Sequence, residues 1–590
     1  MNTVEASNAD DVALLAAYEP IVRFNAGELF FPTAVEDHVA CCDLMERVAG
    51  QHPRVVVPRG ELTLERLAEV GAANPGAGMY LRLVDEPFSH PRTVKWRHRS
   101  DRPRFHHASR LARVGVLSRM VDALNRISLL FRGKVAKGTE AAAETLYRER
   151  MRTDHHPYYG RVVRAGGYTA LQYWIFYPFN DWRSRIYGVN DHEADWEQVV
   201  VYLAEQTDGP PVPSWVVFSA HDETGEDLRR RWDDPDLTLV GDHPVVFAGL
   251  GSHSGAYVQG EYLTSFDPPA FKGFIRRSRK ITRWLLPWSR DNAQAGVGIP
   301  YIDYARGDGV AVGPGQDRPW TCVLIDDDTP WVFHYQGLWG NDTADPLGGE
   351  RGPAGPRYER SGAVRQPWGD IVGWSGLSKV APNHEAANEL IRRRLDLLDD
   401  EVTHLATEYE ARRTKLRADA ASGVAVTPSQ EAELHALASD RVKAADERRR
   451  LETRLTAPPP EPGPHDHLRH RHLPLPQETN ARLRLLSGWS AVSTPLLLGV
   501  LGLIFLPDRP AAIYSTVLLW GIIVLGIEAA ARRHFARYLL AVVVGLGVAL
   551  IIGAFAWSVI VWGWRFAVAG TFWVLGIILL VANVQELGRD

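Results

Sequence analysis

Four long apolar stretches near the carboxyl end constrain this chain more than any other feature of its sequence. They run from about Trp489 to Leu506, Ala511 to Glu528, Tyr538 to Trp562 and Phe566 to Val584. Each is close to the ~20 residues that a helix needs to cross the core of a bilayer. The sequence therefore predicts a multi-pass integral membrane protein, with a four-helix transmembrane domain over residues 488–585.

Basic residues between these stretches predict how the helices are oriented. Four arginines precede the first stretch and three lie between the second and third, whereas the other two loops hold one each. The positive-inside rule then places the soluble N-terminal domain and the C-terminus in the cytosol, at an inner or plasma membrane. Cys41, Cys42 and Cys322 cannot all pair, which favours a reducing compartment, and the first residues do not resemble a secretory signal peptide.

Glu528, near the end of the second stretch, is the one obvious acidic residue inside the four stretches. Ion and proton pathways usually carry several ionisable groups within the membrane, so an anchor or assembly platform is the favoured interpretation. An oligomeric pore or channel is the alternative.

A coiled-coil helical hairpin is predicted over residues 383–456. Ser422 and Gly423 interrupt it, and Thr427 to Gln430 has the pattern of an N-cap, a proline at the first helical position and a capping-box glutamine. The hairpin either packs on its own soluble domain or joins copies into a homo-oligomer. Apolar residues of its first helix alternate in steps of four and three, namely Ile391, Leu395, Leu398, Val402, Leu405, Tyr409 and Leu416.

A linker rich in proline, histidine and arginine follows over residues 457–487. Its prolines predict a stiff connection. The histidines admit a metal-binding tract, but a solvated juxtamembrane linker is the favoured interpretation. They are His465, His467, His470 and His472.

The remaining residues, 1–382, read as a β-rich domain with a helical insertion at about 105–150. Short apolar and aromatic runs are separated by Gly, Pro, Asn and Asp, which predicts an antiparallel β-sandwich and, for the whole chain, a mixed fold class. The clearest predicted strands are Tyr168–Tyr177, Glu197–Leu203, Ser214–Ser219, Pro244–Ala248 and Trp320–Ile325.

Two segments, Ser109 to Arg132 and Phe271 to Arg290, mix apolar and basic residues. They suit either contact with the lipids of an anionic cytosolic leaflet or ordinary packing of a helix with a solvated basic face. The two interpretations are about equally favoured. The formal net charge of −5 gives no nucleic-acid signature, so no nucleic-acid partner is expected.

The densest polar cluster of the sequence lies at Asn190 to Glu197, between two predicted strands. If the second strand begins at Asp195, then Asp195 and Glu197 share one face of it and Trp196 points to the opposite face, into the core. His192 can fold over the face that carries the carboxylates. Such a group calls for a cation to relieve like-charge repulsion.

Asp181 ends the preceding strand and is a further candidate ligand. A mixed set of nitrogen and oxygen ligands suits Ca²⁺, Mg²⁺, Mn²⁺ or Zn²⁺, without choosing among them. The alternative from spacing alone is a polar turn whose carboxylates pair with arginines such as Arg183 and Arg185, and it is slightly favoured.

These residues resemble a family named for a vacuolar protein sorting factor, found across plants, fungi and bacteria. The resemblance covers roughly residues 15–380, is most specific at the Asp-Trp-Glu block, and leaves out the hairpin and the membrane domain. The matching pieces are Pro20–Phe24 with Glu28–Pro32, Thr169–Asp181, Gly188–Leu203, Phe218–His221, His243–His253, and a closing strand at Phe333, Tyr335 and Gly337–Gly340.

A more distant similarity is to the necrosis-inducing, cytolysin-like proteins, whose Gly-His-Arg-His-Asp-Trp-Glu heptapeptide ends in the same three residues. It implies their β-sandwich, and it places His192, Asp195 and Glu197 on that family's divalent-cation ligands. Asp181 is the nearest match for the remaining ligand, at a longer spacing. Glu193 and Ala194 replace the heptapeptide's arginine and second histidine, which puts recognition of sugar-bearing lipids in doubt.

His221 and His253 each end a predicted strand, and the first family's pattern brings them near the block. They are candidate catalytic residues, as a proton-transfer pair, or groups that support the metal ligands. Histidines satisfied by hydrogen bonds alone are the commoner case.

Three functions follow from these features. The favoured one is a membrane-anchored, metal-binding β-sandwich that recognises a polar lipid head group or a glycan at the membrane surface. An oligomeric pore comes second and a metal-dependent hydrolase third, so the chain is more plausibly a binding protein than an enzyme.

Overall fold

The structure is a computed structural model of the chain. The described residues are 3–48, 50–76, 78–105, 112–114, 119, 138–181, 191–219, 224–266, 273, 277, 299–341, 352–457, 462–468, 471–477, 479–503, 511–565, 568–572 and 574.

Sixteen strands are seen in the described residues. In chain order, β1 to β16 are Ile21–Arg23, Asp43–Glu46, Arg54–Val57, Met79–Arg82, His156–Ala165, Tyr168–Asn180, His192–Ala204, Val212–Phe218, Arg230–Arg231, Leu239–Val240, His243–Ala248, Gly255–Ala256, Gly260–Phe266, Ile299–Ala305, Ala311–Val312 and Trp320–Leu324.

These strands form four sheets. The largest has the order β16-β5-β6-β7-β8-β9, and a second has the order β10-β11-β1-β15, with β12 also paired to β11. Strands β3, β2 and β4 form a third sheet, and β13 with β14 a hairpin.

Helices surround the sheets and make up the C-terminal third of the chain. Before the hairpin they are Thr3–Tyr18, Val35–Ala40, Leu64–Ala73, His90–Arg97, Thr139–Arg150, Gly225–Leu228, Pro330–His334, Gln366–Gly369, Ile371–Trp374 and the 3₁₀ turn Leu377–Lys379. After them come His384–Ala421, Pro428–Thr456, Asn480–Gly502, Ala511–Ala531 and Phe535–Trp562.

The two central strands β6 and β7 are buried on both faces, apart from His192 at the start of β7. On one face Ile175 and Val201 share a core with Val246 of the second sheet. On the other face Trp174 packs in a core that includes Leu67 of a helix. This double coverage explains why both strands read as nearly continuous apolar runs rather than alternating ones.

The predicted antiparallel pairing is wrong for two strand pairs. Strands β5 and β16 run parallel, with Trp320 opposite His156, and so do β1 and β11, with Ile21 opposite Val245. Only strands joined by a tight turn must run antiparallel, and these partners lie far apart in the chain. The predicted closing strand is also wrong at Phe333, which lies in a short helix.

The predicted hairpin helices are His384–Ala421 and Pro428–Thr456. Thr427 caps the second helix in the predicted capping box with Gln430. Ion pairs join the two helices in antiparallel order, since Arg394 contacts Glu447 at 2.9 Å while Arg412, further along the first helix, contacts Glu433 near the start of the second.

Three helices in the described part of the chain are long and apolar enough to cross a membrane. We call them the first, second and third apolar helices: Asn480–Gly502, Ala511–Ala531 and Phe535–Trp562. Of the predicted fourth stretch only residues 568–572 and 574 are described. The basic segment Ser109–Arg132 is described only at 112–114 and 119, and there Ala112 packs with Leu483 and Leu486 of the first apolar helix.

The linker contacts the soluble domain where it is described, but its residues at 462–468 and 471–477 are exposed or half-buried, so the expectation of a solvated linker stays a prediction. The Leu475 amide donates to the Glu261 carbonyl at 2.7 Å, on β13. Arg471 donates two hydrogen bonds of 2.7 Å to the Asp236 carboxylate. The linker therefore follows the surface of the domain on its way to the membrane helices.

Candidate functional site

Strand β7 places Asp195 and Glu197 on one face of the central sheet and Trp196 on the other, as the sequence predicted. Trp196 packs against Phe176 and Trp339, with ring centres 5.0 and 5.3 Å apart. The carboxylates lie on the opposite side and are 5% and 6% exposed. Two buried carboxylates side by side are costly to ionise together, so this face needs compensating charge or protons.

His253 supplies part of that charge from the turn after β11. Its Nδ1 lies 2.9 Å from Asp195 Oδ2, and its ring stacks on Tyr177 with the ring centres 3.7 Å apart. The Nε2 atom lies 3.8 Å from Glu28 Oε1, which is too long for a hydrogen bond. The imidazole is thus held between two carboxylates.

Glu28, from the loop after β1, faces the Nε2 side of the His253 ring, whereas Asp195 faces the Nδ1 side. Its Oε1 accepts the amides of Leu29 and Phe30, and its Oε2 accepts the Gly251 amide at 2.9 Å. Glu28 is 2% exposed, so these bonds fix a buried carboxylate against the His253 turn. The sequence offered Glu28 only as part of a family-like opening.

Asp303, on β14, is a fourth carboxylate that the sequence did not single out. Its Oδ1 accepts a 2.8 Å hydrogen bond from the Ser252 hydroxyl, beside His253. Ser219, at the end of β8, donates similarly to Glu197 Oε2 at 2.6 Å. We call Glu28, Asp195, Glu197, Asp303 and His253 together the acidic cluster.

Ala194, beside the acidic cluster, and His253, within it, adopt a backbone conformation that residues other than glycine disfavour. Ala194 and His253 have φ values of 59° and 56°, and Arg533 is the other non-glycine residue with positive φ among the described positions. Such strain persists where surrounding contacts impose it, often at functional sites. Two of the three strained positions therefore adjoin one site.

Next to Ala194, the Glu193 side chain points to the face of the sheet opposite the one that carries Asp195 and Glu197. Glu193 accepts the backbone amides of Leu83, Val84 and Asn341 at 2.8–3.1 Å. It is 4% exposed and links the central sheet to two other segments. Glu193 is thus a structural carboxylate outside the acidic cluster.

The two remaining predicted ligands lie at the strand ends beside the cluster. The Asp181 amide donates to the Gly251 carbonyl at 3.0 Å, which places Asp181 against the His253 turn. The His192 Nδ1 lies 2.7 Å from the Ala194 carbonyl oxygen. His221, with residues 182–190 that include Arg183 and Arg185, lies outside the described residues.

Burial and mutual repulsion make the carboxylates of the acidic cluster costly to ionise. Burial raises the pKa of Glu197 well above its usual range, and the Asp195 charge adds to the rise. Burial also raises the pKa of Asp303 to about 6. Burial alone would lower the pKa of His253, but its carboxylate neighbours Asp195 and Glu28 outweigh that effect and raise it to about 10.

The donor set of the cluster fits a hard divalent cation. Carboxylate oxygens dominate it, and two further buried oxygens, Asn180 Oδ1 and Ser254 Oγ, have no hydrogen-bond partner in the described structure. Such cations favour carboxylate, amide and hydroxyl oxygens. Because Asp195 is bonded to His253 here, cation binding requires that pair to rearrange or to act through water.

A second group of potential ligands lies elsewhere. Among the described residues, one set of three acidic or histidine side chains has ligand atoms all within 4.8 Å of one another: Asp234, Asp236 and His465. It joins the soluble domain to the linker and shares no residue with the acidic cluster.

Comparisons with protein-family models, with curated proteins and with solved structures give no match in any of the three. The resemblances at the Asp-Trp-Glu block therefore stand as predictions from the residues alone.

Proposed function

We propose that this chain is a membrane-anchored binding protein whose β-sandwich holds a divalent cation in the acidic cluster and recognises a polar lipid head group or glycan through it. The observation that supports it is the buried excess of carboxylates around a single histidine. Asp195 and Glu197 are the central ligands of this proposal, with Asp181 and His192 at the strand ends.

The anchor in this proposal is the set of apolar helices, with four spans and with the soluble domain and C-terminus on the cytosolic side of an inner or plasma membrane. The core shared by the first two sheets supports the sandwich. The ion-paired hairpin supports a coiled coil that also joins copies of the chain.

A bound cation would link the protein to its ligand, since a divalent ion on carboxylates can also accept phosphate or hydroxyl oxygens. Without the ion, the carboxylates of the acidic cluster repel an anionic group that reaches them. The proposal therefore requires that ligand binding depends on the cation.

The full chain, purified in detergent, stripped with EDTA and placed in nanodiscs of neutral lipid, tests the first step. Calorimetric titration with Ca²⁺, Mg²⁺, Mn²⁺ and Zn²⁺ should show binding of at least one ion. Asp195→Asn should weaken that binding at least about tenfold, and the exposed Asp317→Asn should not. Equal affinity in wild type and Asp195→Asn contradicts the proposal.

The second step uses the same nanodiscs with labelled vesicles that carry an anionic phospholipid, or with soluble oligosaccharides. EDTA should release whichever ligand binds, and the vesicle arm separates a head group from a glycan. Binding that is the same with and without EDTA would rule out recognition through the ion.

The two alternatives receive less support. The Glu528 carboxylate is paired with Arg119 and Arg532, an arrangement of a packed helix interface more than of a water-filled pore. A hydrolase that uses His253 as general base needs a neutral imidazole, whereas Asp195 and Glu28 raise the pKa of this ring to about 10 in the metal-free protein.

A further inference from the structure

The turn after β9 and the linker form a second cluster of potential ligands, separate from the acidic cluster. His465 Nδ1 lies 3.6 Å from Asp234 Oδ1, and His467 Nε2 lies 2.9 Å from Asp234 Oδ2. Asp236 lies beside them, and its amide donates to Asp234 Oδ1 at 2.8 Å. Residues distant in the chain therefore converge on one carboxylate.

Asp234 is an unusual carboxylate because its side chain is fully buried and one oxygen has no hydrogen bond. The nearest group to that oxygen is His467 Nε2, which already accepts the Arg231 amide at 3.2 Å. This Nε2 atom lies 2.9 Å from Asp234 Oδ2, and Arg230 Nε lies 3.7 Å from the same oxygen. These groups offset the charge on Oδ2, whereas the other oxygen, Oδ1, faces His465.

We propose that Asp234, Asp236 and His465 bind a zinc ion that fastens the linker to the soluble domain. With metal–ligand bonds of about 2.0–2.1 Å, two ligands of a tetrahedral ion lie roughly 3.3–3.4 Å apart. The His465–Asp234 separation of 3.6 Å is close to that spacing and is too long for a hydrogen bond. Nitrogen and carboxylate ligands together suit zinc.

The neighbouring groups are compatible with this assignment. Arg471 binds both oxygens of Asp236, but each carboxylate oxygen has a second lone pair for the ion. The guanidinium holds that ligand in place, as outer groups commonly do around metals. The His465 side chain is 28% exposed, which gives the ion a path of entry.

Zinc at this position bridges the soluble domain and the juxtamembrane chain. Asp234 and Asp236 belong to the domain, whereas His465 belongs to the linker, so the ion closes a loop between them. Removal of zinc should loosen the part of the linker around His465 without unfolding the sandwich, because Arg471 and Leu475 still contact the domain.

The test uses the full chain in detergent, stripped of metal, exposed to an excess of Zn²⁺ or Co²⁺ and then separated from unbound metal by desalting. Mass spectrometry of metals should find one more zinc per chain in wild type than in His465→Ala. Cobalt should give the visible absorption of a tetrahedral site in wild type, absent from His465→Ala. His435→Ala, an exposed histidine of the hairpin, should behave as wild type.

A spin-label distance between linker and domain gives an independent measurement. The distribution of this distance should narrow when zinc is added to wild type. It should stay unchanged in His465→Ala and in Asp234→Asn. Equal zinc content in wild type and His465→Ala would overturn the proposal, as would a zinc-independent distance. Asp195→Asn should keep this zinc, which separates the result from that of the acidic cluster.

Discussion

Arg119 and Glu528, 409 positions apart in the chain, form a bidentate ion pair with N–O distances of 2.7 and 2.9 Å. The Arg119 side chain is fully buried, and it also donates to Ser493 and Thr494 of the first apolar helix. A lone acid in an apolar helix needs a partner, and here the partner comes from the N-terminal half of the chain. The membrane helices and the preceding domain are thus joined by a buried charge pair.

Breaking that pair should destabilise the membrane domain. Arg119→Met or Glu528→Gln alone leaves the other charge buried and less well compensated, at a cost of about 3–5 kcal/mol, whereas the double variant should lose less than the sum. Thermal unfolding in detergent, followed by tryptophan fluorescence, measures this coupling. The exposed Arg417→Met is the control, and additive losses would argue against a direct pair.

The free energy of unfolding should fall as the pH rises through the range in which folded His253 loses its proton. The folded-state pKa of His253 is raised from 6.5 to about 10, so its contribution is fully present below pH 6.5 and is lost as the pH approaches 10. His253→Gln should lower the unfolding temperature in EDTA most at pH 6.5 and least at pH 10. His404→Gln, on the exposed face of the hairpin, should show no such trend. A pH-independent difference would mean that His253 is not a buried imidazolium.

Gly251 should tolerate no side chain. Its φ is +69°, and an added Cβ would lie 2.6 Å from Asp181 Oδ1. Gly251→Ala should therefore lower both stability and cation affinity. Gly241 has a similar φ of +62° with open space around it, so Gly241→Ala should cost only about 1 kcal/mol. Thermal scans and ion titration compare the two, and matching losses would show that backbone strain alone matters.

Glu193→Ala should unfold the β-domain more easily without acting on the cation. Three buried amides lose their acceptor, which we expect to cost about 3–5 kcal/mol. The exposed Glu61→Ala should change little. Denaturant unfolding measures the loss, and ion titration under native conditions should give wild-type affinity. A large change in affinity would instead place Glu193 at the cation site.

Much of the secondary structure could be predicted from the sequence because its signals are local. The aromatic run from Tyr168 gives strand β6, and the Thr427–Gln430 pattern gives the start of a hairpin helix. The shared face of Asp195 and Glu197 follows from strand geometry alone. The metal ligands, the catalytic role of His221 or His253, the fourth span and the coiled coil stay predictions.

The rest of the site depends on contacts between distant segments. Glu28 reaches the cluster from the loop after β1 and Asp303 from β14, and no local pattern marks a carboxylate that will be buried. The inversion at Glu193 depends on the positive φ of Ala194, a residue that rarely adopts it. The parallel pairs β1–β11 and β5–β16 likewise depend on the whole fold.

The docked linker changes what the soluble domain can reach. A free chain of the length of residues 462–477 would have a root-mean-square span of roughly 20 Å and would let the domain swing through that volume. Contacts such as Leu475 to Glu261 remove this slack and hold the β-domain close to the start of the first apolar helix. Under the proposed function, a ligand that diffuses laterally in the membrane would then meet the acidic cluster more often than one that must arrive from bulk solution.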